Sequence, residues 1–183
     1  MANLCTALEG IQKSCDNNSG GIYQVWFIPQ DSIASVATNI VYPNYKVTAI
    51  TFDPVTIPPL QFESYFIRRN TSNYTEEQAA DLINGSTFVT QTINLVFHRR
   101  EAAKSNALKI LASGQQYIAG VVLDANGKYW YFPYLQLTAT GEGSGVARAD
   151  GSKYTVTLVA ENEFLAYEVN LGSAGAYTTL GLV

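Results

Sequence analysis

The sequence predicts a mainly β protein, a β-sandwich or barrel with one flanking α-helix and a long β-hairpin loop. Short segments rich in aromatic and β-branched residues recur along the 183 residues, and Gly, Pro, Asn and Asp separate them. Only one long segment has the composition of a helix. Hydrophobic residues make up 47% of the chain and charged residues 14%. The chain can therefore bury a core, and its surface is expected to be polar rather than ionic.

Three parts are predicted along the chain. Residues 1–21 form an N-terminal arm, in which residues 3–14 have the apolar spacing of a short helix. Residues 22–170 form the β domain, and residues 171–183 form a C-terminal tail of small residues with an apolar end. The predicted strands number eight to ten, and the clearest of them lie at 22–28, 45–52, 61–69, 86–98, 116–123, 128–134, 154–160 and 165–169.

The two longest strand candidates, 61–69 and 86–98, are predicted to form an extended hairpin. The segment 70–85 between them is polar and ends in Asn84-Gly85, a dipeptide typical of hairpin turns. Within it, Thr75 is a plausible N-cap, with Gln78 three residues later. We therefore expect a brief helix over 75–82 within an elaborate connecting loop.

Residues 99–113 are Ala-rich and are predicted to form the main helix, with Gly114 ending it. Its expected buried face consists of Ala103, Ala107, Ile110 and Leu111. The glycine-rich segment 139–150 is expected to be a mobile surface loop.

Five aromatic residues fall within 129–134, and strict alternation places aromatics on both faces of this strand. The candidate packing or interface aromatics are Tyr129, Trp130, Tyr131 and Phe132. Three interpretations stay open: a central strand between the sheet and the helix, a contact face between subunits, or a platform on which sugars stack.

Catalytic and metal-binding motifs are absent from the sequence. The only histidine, His98, lies between a strand and a helix beside Arg99 and Arg100, and a polar residue at a helix start explains it. Glu161 and Glu163 are the only close carboxylate pair at strand ends. We expect no enzyme activity, no cofactor and no metal site.

The net charge of −4 and the single basic cluster around His98 argue against specific nucleic-acid binding. No apolar run is long enough to span a membrane, and the first residues do not have the pattern of a signal peptide. We therefore expect synthesis in a reducing cytoplasm, with Cys5 and Cys15 as free thiols.

The order of elements resembles the tail-tube proteins of long-tailed bacteriophages, a family whose fold is shared with contractile tube proteins and type VI secretion. The opening segment from Cys5 to Ile22 is similar to virion proteins from phages of Bacteroidetes hosts, and so are the segments 95–114, 124–130 and 154–158. As a pattern, the resemblance covers most of residues 1–170.

This resemblance implies a hexameric ring whose sheets join into one barrel, and a stack of rings through which the genome passes without specific binding. It implies a location in the virion tail, contacts with other tail or connector proteins, and no catalytic residues. The expected lumen-facing residues are Gln61, Glu63, Thr87, Gln91 and Asn94. The expected ring-to-ring loop contains Asn73, Tyr74, Glu76 and Glu77. Two alternatives stay open: a head–tail connector or tail-terminator ring of the same fold, and a β-sandwich that binds receptors or carbohydrates through Trp130 and Tyr129.

Overall fold

Ten strands and two helices form in the part of the chain that the computed structural model describes, which is residues 16–40, 44–54, 61–68, 70–81, 83–113 and 116–182. In chain order they are β1 (Ile22–Pro29), β2 (Ile33–Asn39), β3 (Lys46–Phe52), β4 (Glu63–Phe66), β5 (Asn73–Asp81), β6 (Ser86–His98), α1 (Ala102–Ser113), β7 (Ile118–Asp124), β8 (Tyr129–Gly143), β9 (Lys153–Asn162), β10 (Tyr167–Val169) and α2 (Ala174–Leu180). The mainly β fold with a flanking helix is confirmed.

The strands form a curled sheet with the shape of a half-barrel. One part, the first sheet, has the order β2-β3-β10-β8-β7-β1-β4. The other part, the second sheet, consists of the C-terminal half of β8 followed by β9, β6 and β5, and all its neighbouring strands are antiparallel.

Strand β8 belongs to both sheets because it bends in the middle. Its first half pairs with β7 on one side and β10 on the other, and its second half pairs with β9. The bend lies at Pro133 and Tyr134, where the β7–β8 register shifts and Tyr134 adopts a left-handed φ of 55°. The backbone N–H of Tyr134 is held there by the side-chain oxygen of Gln30, at 3.3 Å.

Two apolar clusters lie on opposite faces of the first sheet. One fills the space between the two sheets and α1, with Phe27, Leu95 and Phe132 among its members. The other lies on the far face and is closed by α2 and the residues after it, where Leu180 and Leu182 are buried. The first sheet is therefore covered on both faces, and the tail packs directly on the β domain.

The hairpin differs from its prediction. Residues 75–81 do not form a helix, because Asn73–Asp81 pair with β6 along nine registered positions, from Asn73–Asn94 to Asp81–Ser86, and residue 82 lies outside the described residues. In the described part of the 61–69 segment the strand is limited to β4, and it pairs with β1 in the first sheet rather than with β6. The turn at Asn84-Gly85 is confirmed, with Gly85 at a φ of 67°.

Helix α1 begins at Ala102, three residues later than predicted, and only part of the expected face is buried: Ala107 and Leu111 are partly buried, and Leu111 packs against the cluster between the sheets. Leu108 is its buried residue, whereas Ile110 is 65% exposed and Ala103 is exposed. The glycine-rich segment is partly strand, since β8 continues to Gly143 in register with β9. The predicted N-terminal helix, Cys5, Cys15 and Gly114 lie outside the described residues.

Candidate assembly surface

One face of the second sheet packs on the core, and the opposite face, called here the outer face, is made mainly of small polar side chains. Alternation along β6 buries Val89, Gln91, Ile93, Leu95 and Phe97 and turns the intervening residues outward. The registers place these neutral polar residues on the outer face: Thr75, Thr90, Thr92, Asn94, Gln136, Thr155 and Thr157.

Hydrogen bonds between strands hold part of this face in place. Thr157 Oγ1 donates to Asn94 Oδ1 at 3.1 Å, and Thr138 Oγ1 donates to the Thr157 carbonyl at 3.2 Å. Of the charged residues on this face, Glu77 lies in the middle of β5, and three others lie toward strand ends: Asp81, Glu161 and Lys153. The centre of the outer face therefore has hydroxyl and amide groups that hydrate well but no cation that would hold a phosphate.

The second sheet has a free edge on each side within the described residues. Strand β5 pairs only with β6, and its other side faces no strand. Residues 136–143 of β8 pair with β9, and the chain then continues into β10, which pairs with the first half of β8 along the same edge. On the opposite side, β7 pairs with β8 no farther than the Ile118–Leu135 position, so 136–143 are unpaired there. Such edges present unused N–H and C=O groups to a further strand.

The β5–β6 hairpin ends in a rigid turn with an exposed apolar residue. The Asp81 carboxylate accepts bonds from the backbone N–H of Ile83 and Asn84 and from the Asn84 amide, at 2.9, 3.2 and 2.6 Å. The Asn84 side-chain bond, followed by the two backbone bonds, lowers the pKa of Asp81 below its ordinary value. Ile83, at the tip, is 94% exposed.

A groove of about 600 Å³ opens where β8 bends, and two tyrosines form its wall. Tyr117 and Tyr134 meet edge to face with ring centroids 5.8 Å apart, and each is 51% exposed. Both are tied to Gln30, whose N–H donates to the Tyr117 carbonyl at 2.9 Å and whose side chain accepts from Tyr134 N–H. The rest of the lining includes Gln136, Thr138, Val159 and Glu161.

The aromatic strand is a central strand with both faces packed, as the first interpretation predicted. Phe132 and Trp130 pack with the cluster between the sheets, and Tyr131 and Tyr129 pack with the other cluster. Burial raises the pKa of the Tyr131 hydroxyl to about 12. Trp130 Nε1 donates to Asp124 Oδ2 at 2.9 Å. Tyr131 and Phe132 are buried, whereas Tyr129 and Trp130 stay partly exposed.

The five residues expected to face a lumen do not share one surface. Gln61 lies just before β4 of the first sheet, and Glu63 is the first residue of that strand. Thr87 is exposed but has the alternation of the core side, and only Asn94 lies on the outer face. The prediction for Gln91 is wrong, since this side chain is fully buried.

The burial of Gln91 has a clear reason, because its amide is hydrogen-bonded on both atoms. Its Nε2 donates to Glu76 Oε1 at 2.8 Å, and its Oε1 accepts from Asn162 Nδ2 at 2.7 Å. A buried polar group with such partners carries little desolvation penalty.

The residues expected in a ring-to-ring loop lie in β5, so the prediction of a loop is wrong for them. Tyr74 contacts the Phe132 ring at a centroid distance of 5.4 Å, and burial raises its pKa to about 12. Glu76 also accepts a bond from the backbone N–H of Ala166 at 2.6 Å. Asn73 and Glu77 are exposed on the outer face.

Neither His98 nor the metal-ligating side chains form a catalytic or metal-binding cluster within the described ranges. His98 ends β6, and its Nε2 is buried with no hydrogen-bond partner there. No group of three or more metal-ligating side chains comes together in the described residues, and no described helix is both long and apolar enough to cross a membrane.

When the chain is compared with known proteins, no family model and no curated protein matches it.

Sequence reasoning missed Ile83, Tyr117 and Tyr134 as surface residues. The available signals were an isoleucine beside Asn84-Gly85 and a tyrosine directly after Pro133. Neither signal reveals exposure, which depends on where β8 leaves the first sheet.

Proposed function

We propose that this chain is a structural subunit of a virion tail tube, in which copies join edge to edge into a ring, expected to be a hexamer, and the rings stack. The observation that carries the proposal is the pair of free edges on the two sides of the second sheet. A head-to-tail contact between two different edges of identical subunits generates a ring when the rotation closes.

The direction of the strands supports this joining. The second sheet contributes four antiparallel strands, so its two outermost strands, β5 and the second half of β8, run in opposite directions. In a ring, all subunits point the same way along the axis. The β5 edge of one copy therefore meets the β8 edge of the next in antiparallel orientation, and the sheet continues without a change of type.

The vertical offset of the two edges also suits a barrel. Asp81 lies level with Ser86 of β6, whereas Gln136 lies level with Thr92, through Val159. If Asp81 of one copy pairs with Gln136 of the next, successive copies are offset by about 20 Å along the strand direction. This offset accumulates across four strand spacings of about 4.8 Å each. The resulting tilt is about 45°, at the upper end of the range found in closed barrels. Asp81 and Gln136 both belong to the outer face, as cross-strand neighbours must.

The outer face suits the wall of a channel. Six copies would give about 24 strands spaced about 4.8 Å apart, a circumference of roughly 115 Å even without tilt, and far fewer strands already leave an aqueous lumen. The other face of the sheet is occupied by the core, so the Thr- and Asn-rich outer face would line this channel. A wall whose charged residues are mainly acidic would let DNA pass without holding it.

This assignment implies a place in the virion tail after assembly in the host, with tail or connector proteins at the ends of the tube. A connector or tail-terminator subunit would form the ring but would not stack. A glycan-binding function would have to use Trp130 and Tyr129, which are only partly exposed because they also pack against the two core clusters.

The test is electron microscopy and light scattering of the full chain over a range of concentrations, together with the single variants Ala79→Pro and Ala80→Pro. Consecutive N–H groups of an edge strand point alternately toward its partner and away from it. One proline therefore removes a β5–β6 bond, and the other removes only the free donor. The variant whose proline removes only the free donor should keep the wild-type Tm and fail to form rings. The variant whose proline removes a β5–β6 bond serves as the matched control.

Stacked annuli from the wild-type chain, lost in the variant with unchanged Tm, are the expected result. Single closed rings would favour the connector. Rings that form equally well with either proline would remove β5 from the interface, and a strictly monomeric chain at all concentrations would contradict the proposal.

A further inference from the structure

We infer that the hairpin tip of one copy docks into the Tyr117–Tyr134 groove of the next copy, with Ile83 as the inserted side chain. The inference rests on the proposed edge-to-edge ring and names the partner surface that sets its register. Both surfaces are otherwise unusual, since one is an isoleucine that is 94% exposed and the other is a pair of half-exposed tyrosines.

The register is part of the inference, and it is the one used above for the proposed ring. With Asp81 of one copy beside Gln136 of the next, antiparallel pairing places Ile83, two residues farther along, beside position 134. At that position β8 turns away into the first sheet. The hairpin of the neighbouring copy, continuing straight, would pass over the bend and meet the groove.

The position of Tyr117 fits the same contact. It directly precedes β7, whose last pairing with β8 is Ile118–Leu135, so it lies at the corner where the free edge of β8 begins. The tip needs an apolar site at this corner, and the two aromatic rings provide it, while Gln136 and Thr138 offer polar groups to the turn. Aromatic side chains are the commonest anchors of protein interfaces.

Both partners are held in place before they meet. The Asp81 carboxylate fixes the turn through three hydrogen bonds, and Gln30 fixes the backbones of both tyrosines. The left-handed φ of Tyr134 is uncommon for a bulky residue. Such preorganisation lowers the entropic cost of association.

Disulfide trapping between two separately made chains tests the contact, in a background where Cys5 and Cys15 are replaced by serine. Ile83→Cys protein mixed with Tyr117→Cys protein should give a heterodimeric disulfide under mild oxidation. Val146→Cys mixed with Tyr117→Cys is the matched control, because Val146 is fully exposed in the 144–152 connection at the opposite end of β9. Independently, Ile83→Asp should weaken ring formation at least tenfold, and Val146→Asp should leave it unchanged.

A specific Ile83–Tyr117 crosslink supports the docking. Rings that assemble from Ile83→Asp as readily as from wild type, or that give no such crosslink, overturn the docking and leave the proposed ring standing. A wild-type chain that never associates overturns both.

Discussion

At the scale of a single residue, the Asp124 side chain connects the β7–β8 turn to the core. It is buried, and its Oδ1 accepts the backbone N–H groups of Asn126 and Lys128, each at 2.8 Å, while its Oδ2 accepts Trp130 Nε1. One carboxylate thus shapes the β7–β8 turn and fixes the tryptophan that enters the core.

We predict that Asp124→Ala lowers the free energy of unfolding by about 2–4 kcal/mol, because it removes a buried carboxylate that accepts three hydrogen bonds. Urea denaturation followed by tryptophan fluorescence measures it. Asp150→Ala is the control, since Asp150 also accepts two backbone N–H groups, from Val146 and Ala147, but is exposed. It should lower the free energy of unfolding much less, because water can replace an exposed carboxylate as the acceptor, and equal losses in the two variants would contradict the role given to burial.

At the scale of elements, Glu168 joins three strands of the first sheet. From β10 it reaches Lys128 at 2.9 Å, just before β8, and Lys46 of β3 at 3.5 Å. Partial burial acts to raise the pKa of Glu168, but the hydrogen bond and charge of Lys128, with the charge of Lys46, outweigh it. The pKa therefore lies below its ordinary value.

Because this pKa is lowered on folding, the ionised carboxylate stabilises the fold above its unfolded-state pKa and loses that effect as the pH falls through the folded value. We predict that Glu168→Gln costs up to about 1 kcal/mol at pH 7, as expected for a partly exposed pair. The difference from wild type should shrink toward zero near pH 3. Urea denaturation at both pH values checks it, with the exposed Glu163→Gln as the control, and a penalty independent of pH would exclude the ion pairs as its cause.

Strand β5 shows where sequence reasoning reaches its limit. The residues Glu76, Glu77, Gln78, Ala79 and Ala80 favour a helix by intrinsic propensity, yet they form a strand because nine positions pair with β6. Local propensity does not include that partner. The class of fold, the turn at Asn84-Gly85 and the packing of 129–132 were predictable, because composition, turn chemistry and alternation determine them locally.

The surface residues were harder to predict for a related reason. Gln91 was expected to be exposed because it is polar, but Glu76 and Asn162 satisfy its amide in the core. Those partners lie 15 and 71 residues away along the chain. The Tyr117–Tyr134 pair likewise exists only because a bend in β8 brings two distant segments to the same corner.

For the whole molecule, the outer face determines what a channel built from it would do to DNA. We predict that Thr92→Lys, at the centre of this face, leaves rings able to form but makes them retain short duplex DNA at low salt. Each lysine adds a phosphate contact whose strength falls as salt rises. Filter binding at two salt concentrations, with the exposed helix substitution Ala103→Lys as the control, measures the effect.

Equal DNA retention by both lysine variants would place the outer face away from the channel. Retention by Thr92→Lys alone, at a level that declines with salt, is the expected result.

The shared strand β8 has a mechanical consequence. Since one continuous backbone runs from the first sheet into the second, a force applied to the second sheet reaches the first along peptide bonds rather than across side-chain contacts. Neither sheet can then come apart while the other keeps all its strands. A subunit pulled by its neighbours should therefore yield in a single cooperative event, at the bend that Gln30 secures.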